Sequence, residues 1–267
     1  MKTKIYFLGI LYLITITVYA QTDTSELNFN FDKKGSGSPV ILFESGLGET
    51  LEGWKTIQDS ISKITTTISY DRIGLGKSST TENPRTLENF VSELHGFLEK
   101  EEIDGPFILV GHSLGGLIIR KFQNSYPEKV VGLVFVDPTL EGLLERLFAA
   151  RPEEESEMLT KEMDGFYATQ SIGVQNEYKE VDTMENEIKE LKLPTELPIT
   201  VLVSYQELPP PFSPDDIKIK KQLFESWVES APQTKLISTT KSGHYIHYSE
   251  PNLVIDEIKK MLDEIED

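Results

Sequence analysis

Short apolar runs alternate with amphipathic stretches along most of this chain. Six runs predict strands: Val40–Phe43, Thr65–Tyr70, Phe107–Val110, Val130–Val136, Ile199–Val203 and Thr234–Ser238. Four stretches with apolar residues at helical spacing predict helices: Leu87–Glu99, Leu114–Gln123, Lys218–Glu229 and Leu253–Ile265. Strands that are apolar throughout are typical of a parallel sheet that is buried on both faces. The alternation therefore predicts a doubly wound, mostly parallel α/β sheet, and the polar–apolar alternation of Asn28–Phe31 indicates an added antiparallel edge strand.

One segment, residues 140–194, interrupts this alternation. It has no strand pattern and contains three helix-like runs: Gly142–Ala150, Glu154–Met163 and Thr183–Leu191. Between Glu141 and Lys192 it carries 14 acidic and 6 basic residues, a local charge of −8. Helices inserted between two core strands are typical of a lid that gates a site and excludes water. The alternative is a solvated helical decoration with no gating role.

The first 20 residues have the layout of a secretory signal peptide. Lys2 and Lys4 form a basic start, Ile5–Val18 is almost entirely apolar or threonine, and small residues precede a break after Ala20. A retained membrane anchor is the alternative, but the apolar run is short for a span of about 20 residues. The pattern predicts an exported protein, periplasmic or extracellular, without a stable membrane span after cleavage.

The remaining residues, 21–267, have the length of one domain. Its core covers about 28–139 and 195–265, with the lid at 140–194. The chain has no cysteine, which excludes disulfides, thiolate metal sites and a cysteine nucleophile. Its formal charge of −18 becomes −20 when two lysines leave with the signal peptide, which argues against nucleic acid and anionic membrane surfaces as partners.

The pentapeptide Gly111–Gly115 carries the clearest chemical signal. It reads G-x-S-x-G, directly after the strand Phe107–Val110 and directly before the predicted helix at Leu114. In this strand–turn–helix context the serine sits on a sharp elbow with its Oγ exposed. Ser113 is therefore the candidate nucleophile, although a bare G-x-S-x-G also occurs by chance in glycine-bearing loops.

A serine hydroxyl needs a base to remove its proton, and the chain has four histidines. His244 follows the last predicted strand, where active sites of parallel sheets assemble, so it is the candidate base. His95 lies within a predicted helix and is expected on the exposed face of that helix. His112 precedes the nucleophile on a turn that is expected to point it away. His247 is expected to pack or hydrogen-bond near the site, with a simple surface position as the alternative.

A carboxylate must orient the base and stabilise its imidazolium form. Asp137 directly follows one strand, and Glu207 follows another after three residues. Asp137 is favoured because it stands at the strand tip, and Glu207 stays open as the alternative acid. The oxyanion hole needs two N–H donors. Leu114, after the nucleophile, supplies one, and Leu47 of the Glu44–Glu49 loop is the expected second.

Together these motifs resemble the α/β-hydrolase fold superfamily. The similarity rests on five segments of the chain: Phe43–Gly48, Tyr70–Ser78, Val110–Gly116, Leu133–Pro138, and Ser242–His244 with Glu250–Pro251. The order Ser113, Asp137, His244 matches the order that the superfamily uses. Two features depart from it: Ser45-Gly46 stands where His-Gly is common, and Glu207 replaces the Asp that often ends the strand after the lid.

The resemblance implies a serine hydrolase that cleaves an ester or related acyl bond of a small molecule through an acyl-enzyme, and the signal-peptide pattern adds that it is exported. It implies no metal and no organic cofactor. Two alternatives stay open: a ligand-binding or sensing protein with weak turnover, and a cofactor-free C–C hydrolase or peroxidase. A phosphate-binding loop is excluded, because Asp71 stands where the Gly76-Lys77-Ser78 motif requires glycine. Asp71 and Arg72 are instead expected to brace this turn.

Overall fold

The apolar runs form a seven-stranded sheet in the computed structural model, which describes residues 27–207 and 212–266. The strands are β1 Phe31–Lys34, β2 Val40–Glu44, β3 Thr67–Tyr70, β4 Phe107–His112, β5 Val130–Val136, β6 Ile199–Ser204 and β7 Lys235–Thr239. Their order is β1-β3-β2-β4-β5-β6-β7. Strand β1 is antiparallel to β3 and the other neighbours are parallel. The predicted α/β fold is confirmed, while the predicted signal peptide, residues 1–20, lies outside the described residues.

Helices cover both faces of this sheet. The helices are α1 Lys55–Ile61, α2 Leu87–Lys100, α3 Leu114–Ser125, α4 Leu143–Ala149, α5 Glu153–Ala168, α6 Ile172–Lys179, α7 Val181–Ile188, α8 Pro214–Glu229, α9 Ile246–Ser249 and α10 Pro251–Glu266. Helices α2, α3 and α8 pack with one apolar cluster, and α1 and α10 pack with a second. Successive residues of β2 alternate between the clusters, since Leu42 joins the first and Ile41 and Phe43 the second. This alternation is the period of a strand buried on both faces.

Several elements differ from the sequence predictions. The edge strand lies at Phe31–Lys34, not at Asn28–Phe31, because it pairs with β3 in that register. Helix α8 begins at Pro214, four residues before the predicted start, because Ser213 and Asp216 form a capping box there. The short helices α1, α6 and α9 were not predicted, since pieces of four to eight residues carry little periodic signal.

The four helices α4–α7 lie between β5 and β6, where the sequence predicts the lid. Their two halves are buried differently: α4 has no buried residue and α5 has one, Leu159, whereas α6 and α7 each bury two. Movement of these helices as a lid stays a prediction. Within residues 27–207 and 212–266, none of the helices has the length and apolar character that a membrane crossing requires.

The sheet reverses its direction of growth at β2. From β2 the chain moves to β3 on one side and then to β4 on the other, so β2 lies between them. In open α/β sheets, ligands bind beyond the carboxyl ends of the strands at such a switch point. The loop after β2 and the turn after β4 are therefore neighbours, and each of them carries predicted site residues.

Candidate active site

Ser113 stands on a strained turn between β4 and α3. Its backbone has φ 50° and ψ −120°, which is unusual for a residue with a side chain. A side chain at Gly111 would meet the backbone of Gly115, and one at Gly115 would meet the Glu44 carbonyl at 2.5 Å. The two glycines therefore let α3 approach the end of β2. The turn is also tied to β5, since Thr139 N–H donates to the Ser113 carbonyl at 2.9 Å.

His244 lies in the loop between β7 and α9, and its imidazole bridges the serine and an acid. Its Nε2 is 2.9 Å from Ser113 Oγ, and its Nδ1 is 2.7 Å from Asp137 Oδ2. The His244 side chain is 45% exposed, so a substrate can reach the Nε2 side from solvent. The structure thus brings Ser113, His244 and Asp137 into one continuous hydrogen-bonded chain.

Asp137 is buried directly after β5, and four contacts hold its carboxylate. Besides His244, the Ser204 N–H donates to Oδ1 at 2.8 Å, and Lys220 Nζ lies 2.8 and 2.9 Å from the two oxygens. Burial opposes ionisation, but the His244 hydrogen bond and the Lys220 charge outweigh it and hold the pKa of Asp137 below its usual value. Asp137 is therefore ionised and fixed in place. Sequence reasoning missed Lys220, which comes from the distant helix α8.

Glu207, the alternative acid, stands apart from this chain of contacts. Its side chain is exposed, and the contacts of the described residues include no hydrogen bond or ion pair between Glu207 and His244. The His244 Nδ1 position is already taken by Asp137. The geometry therefore favours Asp137 as the acid.

The two amides predicted to form an oxyanion hole border the same turn. Leu114 is the first residue of α3, where backbone N–H groups have no intrahelical acceptor. In the loop after β2, the Gly46 amide donates to Glu49 Oε2 and the Gly48 amide donates to Glu177 Oε2, both at 2.9 Å. Between them, the Leu47 amide has no acceptor among the residues that the structure describes. Both Leu amides are thus available to a ligand.

A second histidine–carboxylate pair lies directly behind His244. His112 is the last residue of β4, and its Nδ1 is 2.5 Å from Glu49 Oε2 while its Nε2 is 3.1 Å from the His244 carbonyl. The expected turn position of His112 is wrong, because this residue belongs to β4. Its side chain points into the interior, where it is 1% exposed, and its contacts are with Glu49 and the His244 carbonyl. His247 is also buried, with Nε2 3.5 Å from Glu49 Oε1, so its surface alternative is wrong as well.

The Glu49 carboxylate is shared by two histidines, His112 and His247. Burial opposes ionisation of Glu49, but hydrogen bonds from His112 and His247 outweigh it and hold the pKa of this carboxyl well below its usual value. For His112, burial dominates and lowers the imidazole pKa to about 4, although the hydrogen bond with Glu49 acts in the opposite direction. Because the Glu49 carboxylate is ionised, the Nδ1–H of His112 donates to it.

Glu49, His112 and His247 also have the composition of a metal site. Among residues 27–207 and 212–266, each of these three side chains offers one possible ligand atom, and the three atoms lie within 4.8 Å of one another. Two ligands of a tetrahedral zinc ion lie about 3.3 Å apart, since each bond is about 2.0 Å. The Glu49–His112 contact of 2.5 Å is shorter and fits a proton between the two atoms. The arrangement therefore fits a hydrogen-bonded cluster better than a metal centre.

A third buried cluster centres on Arg72. Its guanidinium contacts Glu44 Oε1 at 2.7 Å, Glu177 Oε1 and Oε2 at 2.7 and 2.8 Å, and the carbonyls of Ser45 and Gly46. The Asp71 side chain performs the predicted bracing of the turn after β3, since it accepts from the Lys77 and Leu51 amides at 2.9 Å. Arg72 takes part in this turn through its backbone carbonyl, which accepts from the Leu75 N–H at 2.9 Å. Its side chain extends instead to the loop after β2.

The cavity between the inserted helices and α8 lies away from this chemistry. It has a volume of about 1070 Å³ and mixes apolar walls such as Phe148 and Trp227 with charged ones such as Glu145 and Lys179. Ser113 and His244 are not among its lining residues. The reacting groups instead face solvent at the carboxyl edge of the sheet.

Comparisons with known proteins agree with this architecture. Residues 39–160 match the model of the alpha/beta hydrolase fold family. The Bacillus subtilis protein YqjL is 29% identical over 224 residues, which cover 83% of each chain. An esterase of Thermogutta terrifontis (TM-score 0.66, 19% identity) covers 90% of this chain and 94% of its own. An epoxide hydrolase of Bacillus megaterium (TM-score 0.67, 16% identity) covers 89% and 97%. At these identities the two structures show a shared fold alone.

Proposed function

This chain belongs to the α/β-hydrolase fold superfamily, and from that membership and its site we propose that it is a serine hydrolase that cleaves an ester or related acyl bond of a small molecule. The observation that carries the proposal is the continuous contact from Ser113 Oγ to His244 at 2.9 Å and from His244 to Asp137 at 2.7 Å. A nucleophile that is hydrogen-bonded to a base, with the base oriented by an acid, is the arrangement of a serine triad.

The proposed reaction has two steps through an acyl-enzyme. Ser113 Oγ attacks the acyl carbon while His244 Nε2 takes the hydroxyl proton, and the amides of Leu47 and Leu114 stabilise the oxyanion. The carbon–oxygen bond to the alcohol then breaks, and His244 returns the proton to the leaving oxygen. A water molecule next attacks the acyl carbon, His244 takes a water proton, and that proton returns to Ser113 as the acid leaves.

The serine separates this proposal from other chemistry on the same fold. Similarity to an epoxide hydrolase structure shows the fold alone. Epoxide opening on this scaffold uses an aspartate nucleophile, and here the elbow carries Ser113. An acyl transfer to a hydroxyl is the reaction that Ser113, His244 and Asp137 can perform together.

The test is a hydrolysis screen of p-nitrophenyl esters of graded acyl length, with lactones and amides alongside. We expect multiple turnovers on at least one ester, loss of at least about 10³-fold in kcat for Ser113→Ala, and labelling of Ser113 by a fluorophosphonate. Ser36→Ala, at an exposed position, is the matched control and should keep full activity. Labelling without turnover would favour the binding or sensing alternative, and cleavage of a diketone without esterase activity would favour a C–C hydrolase.

Export is proposed as part of the same function, and the basic start with the apolar run after it supports this. We expect the mature protein to begin at Gln21. N-terminal sequencing of protein recovered from the periplasm or medium of a producing bacterium tests this, and an intact Met1 on protein retained in the cytoplasm would contradict it.

A further inference from the structure

One carboxylate of the inserted segment reaches into the core of the site. Glu177 belongs to α6, yet its side chain is only 1% exposed. Both of its oxygens contact the Arg72 guanidinium, with Nε–Oε1 at 2.7 Å and Nη2–Oε2 at 2.8 Å. Charge-assisted pairs with two parallel contacts fix direction as well as distance. Glu177 therefore attaches α6 to the sheet at a defined position.

The same two residues hold the loop that carries the Leu47 amide. Arg72 donates to the Ser45 carbonyl at 2.6 Å and to the Gly46 carbonyl at 2.7 Å. Because a trans peptide places its C=O and N–H on opposite sides, a Gly46 carbonyl held by Arg72 turns the Leu47 N–H away from Arg72. On the other side of Leu47, the Gly48 amide donates to Glu177 Oε2 at 2.9 Å. Both peptide planes that flank Leu47 are thus set by the Arg72–Glu177 pair.

Close backbone contacts show that α6 is fitted to this place. A side chain at Gly173 would meet the Gly74 carbonyl at 1.9 Å, and one at Gly48 would meet Val174 at 2.9 Å. Helix α6 therefore contacts the loops after both β2 and β3, and neither Gly48 nor Gly173 has space for a side chain. This part of the insert is docked on the site, in contrast to the largely exposed α4 and α5.

The charges make Glu177 difficult to replace. Arg72 lies between Glu44 and Glu177, and all three side chains are at most 3% exposed. Tyr70 donates its hydroxyl hydrogen to the other oxygen of Glu44, so Glu44 has partners besides Arg72. Without Glu177, the guanidinium could turn toward Glu44 and release the Gly46 carbonyl, and the Gly48 amide would lose its acceptor.

We propose that Glu177 is a positioning residue for the oxyanion hole, by which the docked helix α6 sets the direction of the Leu47 N–H. The proposal rests on the proposed hydrolase function for its catalytic consequence, while its structural part stands on the contacts alone.

A kinetic experiment tests the catalytic consequence. In Glu177→Ala we expect kcat on the best ester to fall about 30- to 100-fold, below the effect of deleting an oxyanion donor outright, with KM within about threefold of wild type. A boronic acid that mimics the tetrahedral intermediate should lose affinity by a similar factor. Glu177→Gln keeps a carbonyl that accepts from the Gly48 amide, so it should recover most of kcat. Glu162→Ala, an exposed carboxylate of α5, is the matched control.

Hydrogen exchange tests the structural part without any substrate. We expect the amide of Gly48, which donates to Glu177 Oε2, to exchange at least about tenfold faster in Glu177→Ala than in wild type or Glu162→Ala, while the β4 amides stay protected. Unchanged protection of the loop overturns the proposal, and so does a fall in melting temperature with kcat intact. If Glu177→Ala does not fold, Glu177→Leu, which fills the same buried space without an acceptor for the Gly48 amide, is compared in its place. Absence of ester hydrolysis in the wild type would overturn the proposed function, and hydrogen exchange would still decide the role of Glu177.

Discussion

Two histidine–carboxylate pairs lie side by side in this protein, with the rings of His244 and His112 only 4.7 Å apart. In each pair a carboxylate oxygen contacts the Nδ1 atom, at 2.7 Å from Asp137 and 2.5 Å from Glu49. The pairs differ in what Nε2 meets. His244 Nε2 faces the Ser113 hydroxyl, and His112 Nε2 faces the backbone carbonyl of His244 itself.

The difference shows that the partner and the exposure of a histidine decide its task. His244 is 45% exposed and its Nε2 contacts a group that can give up a proton, so it can act as a base. His112 is 1% exposed and both of its nitrogens contact oxygen atoms of the protein, so it has no reacting group to serve. It instead holds the backbone of the catalytic candidate in place. Four sets of variants can break or sharpen this distinction.

The largest effect is expected from exchanging the two histidines one at a time for glutamine. His244→Gln should reduce kcat on the best ester at least about 10⁴-fold, because no base remains for Ser113. His112→Gln should reduce kcat about tenfold or less and lower the melting temperature, because it loosens the His244 backbone. Steady-state kinetics and thermal unfolding measure both. If both variants lost kcat equally, the exposed His244 and the buried His112 would not have the different roles of base and support.

The two candidate acids, Asp137 and Glu207, should also differ in how much their removal lowers kcat. Asp137→Asn should lower kcat about 10³- to 10⁴-fold, since an amide favours the wrong tautomer of the base. Glu207→Gln should remain within about twofold of wild type, because Glu207 is exposed and makes no contact with His244. The same ester assay compares them. Loss of turnover in Glu207→Gln alone would show that Asp137 is the wrong acid.

Glu49→Gln should act mainly on stability. Removal of one partner from a buried pair costs about 3 kcal/mol, measured as the free energy of unfolding in urea at pH 7. Because the folded pKa of Glu49 is depressed, its contribution is present above the unfolded value of about 4.3 and is lost as pH falls through the folded value. The difference between wild type and variant should therefore shrink from pH 5 toward pH 2. A difference that grows in acid would contradict this assignment.

Lys220→Met should give the smallest effect, a shift in the pH profile. The charged or titratable groups that face His244 are Asp137 with Lys220 beside it, His112 with Glu49 behind it, and Tyr245. Removal of the Lys220 charge favours the imidazolium, so the acid limb of kcat/KM should move up by about one pH unit. Lys221→Met, which removes a 57% exposed lysine, is the control. A limb that stays in place, or moves to lower pH, would show that Lys220 does not tune the base.

Some parts of this site could be predicted because their signals are local. Ser113 stands in a motif whose glycines are required by the contact between α3 and the end of β2. Asp137 and His244 each follow a strand, and parallel strands bring their carboxyl ends to one edge. Lys220 and Glu177 carry no such signal, because each is one charged residue on a surface-type helix until that helix packs on the core.

The sequence by itself determined the alternation of strands and helices, the serine elbow and the short set of acids and bases from which a triad could be formed. These follow from periodicity and from backbone requirements that act within a few residues. Tertiary structure decided that Asp137 contacts His244, that His112 is a support with Glu49, and that Glu177 reaches the oxyanion loop. The reason is physical: side chains 63 to 129 positions apart meet only when the sheet register and the docking of helices have set their distances.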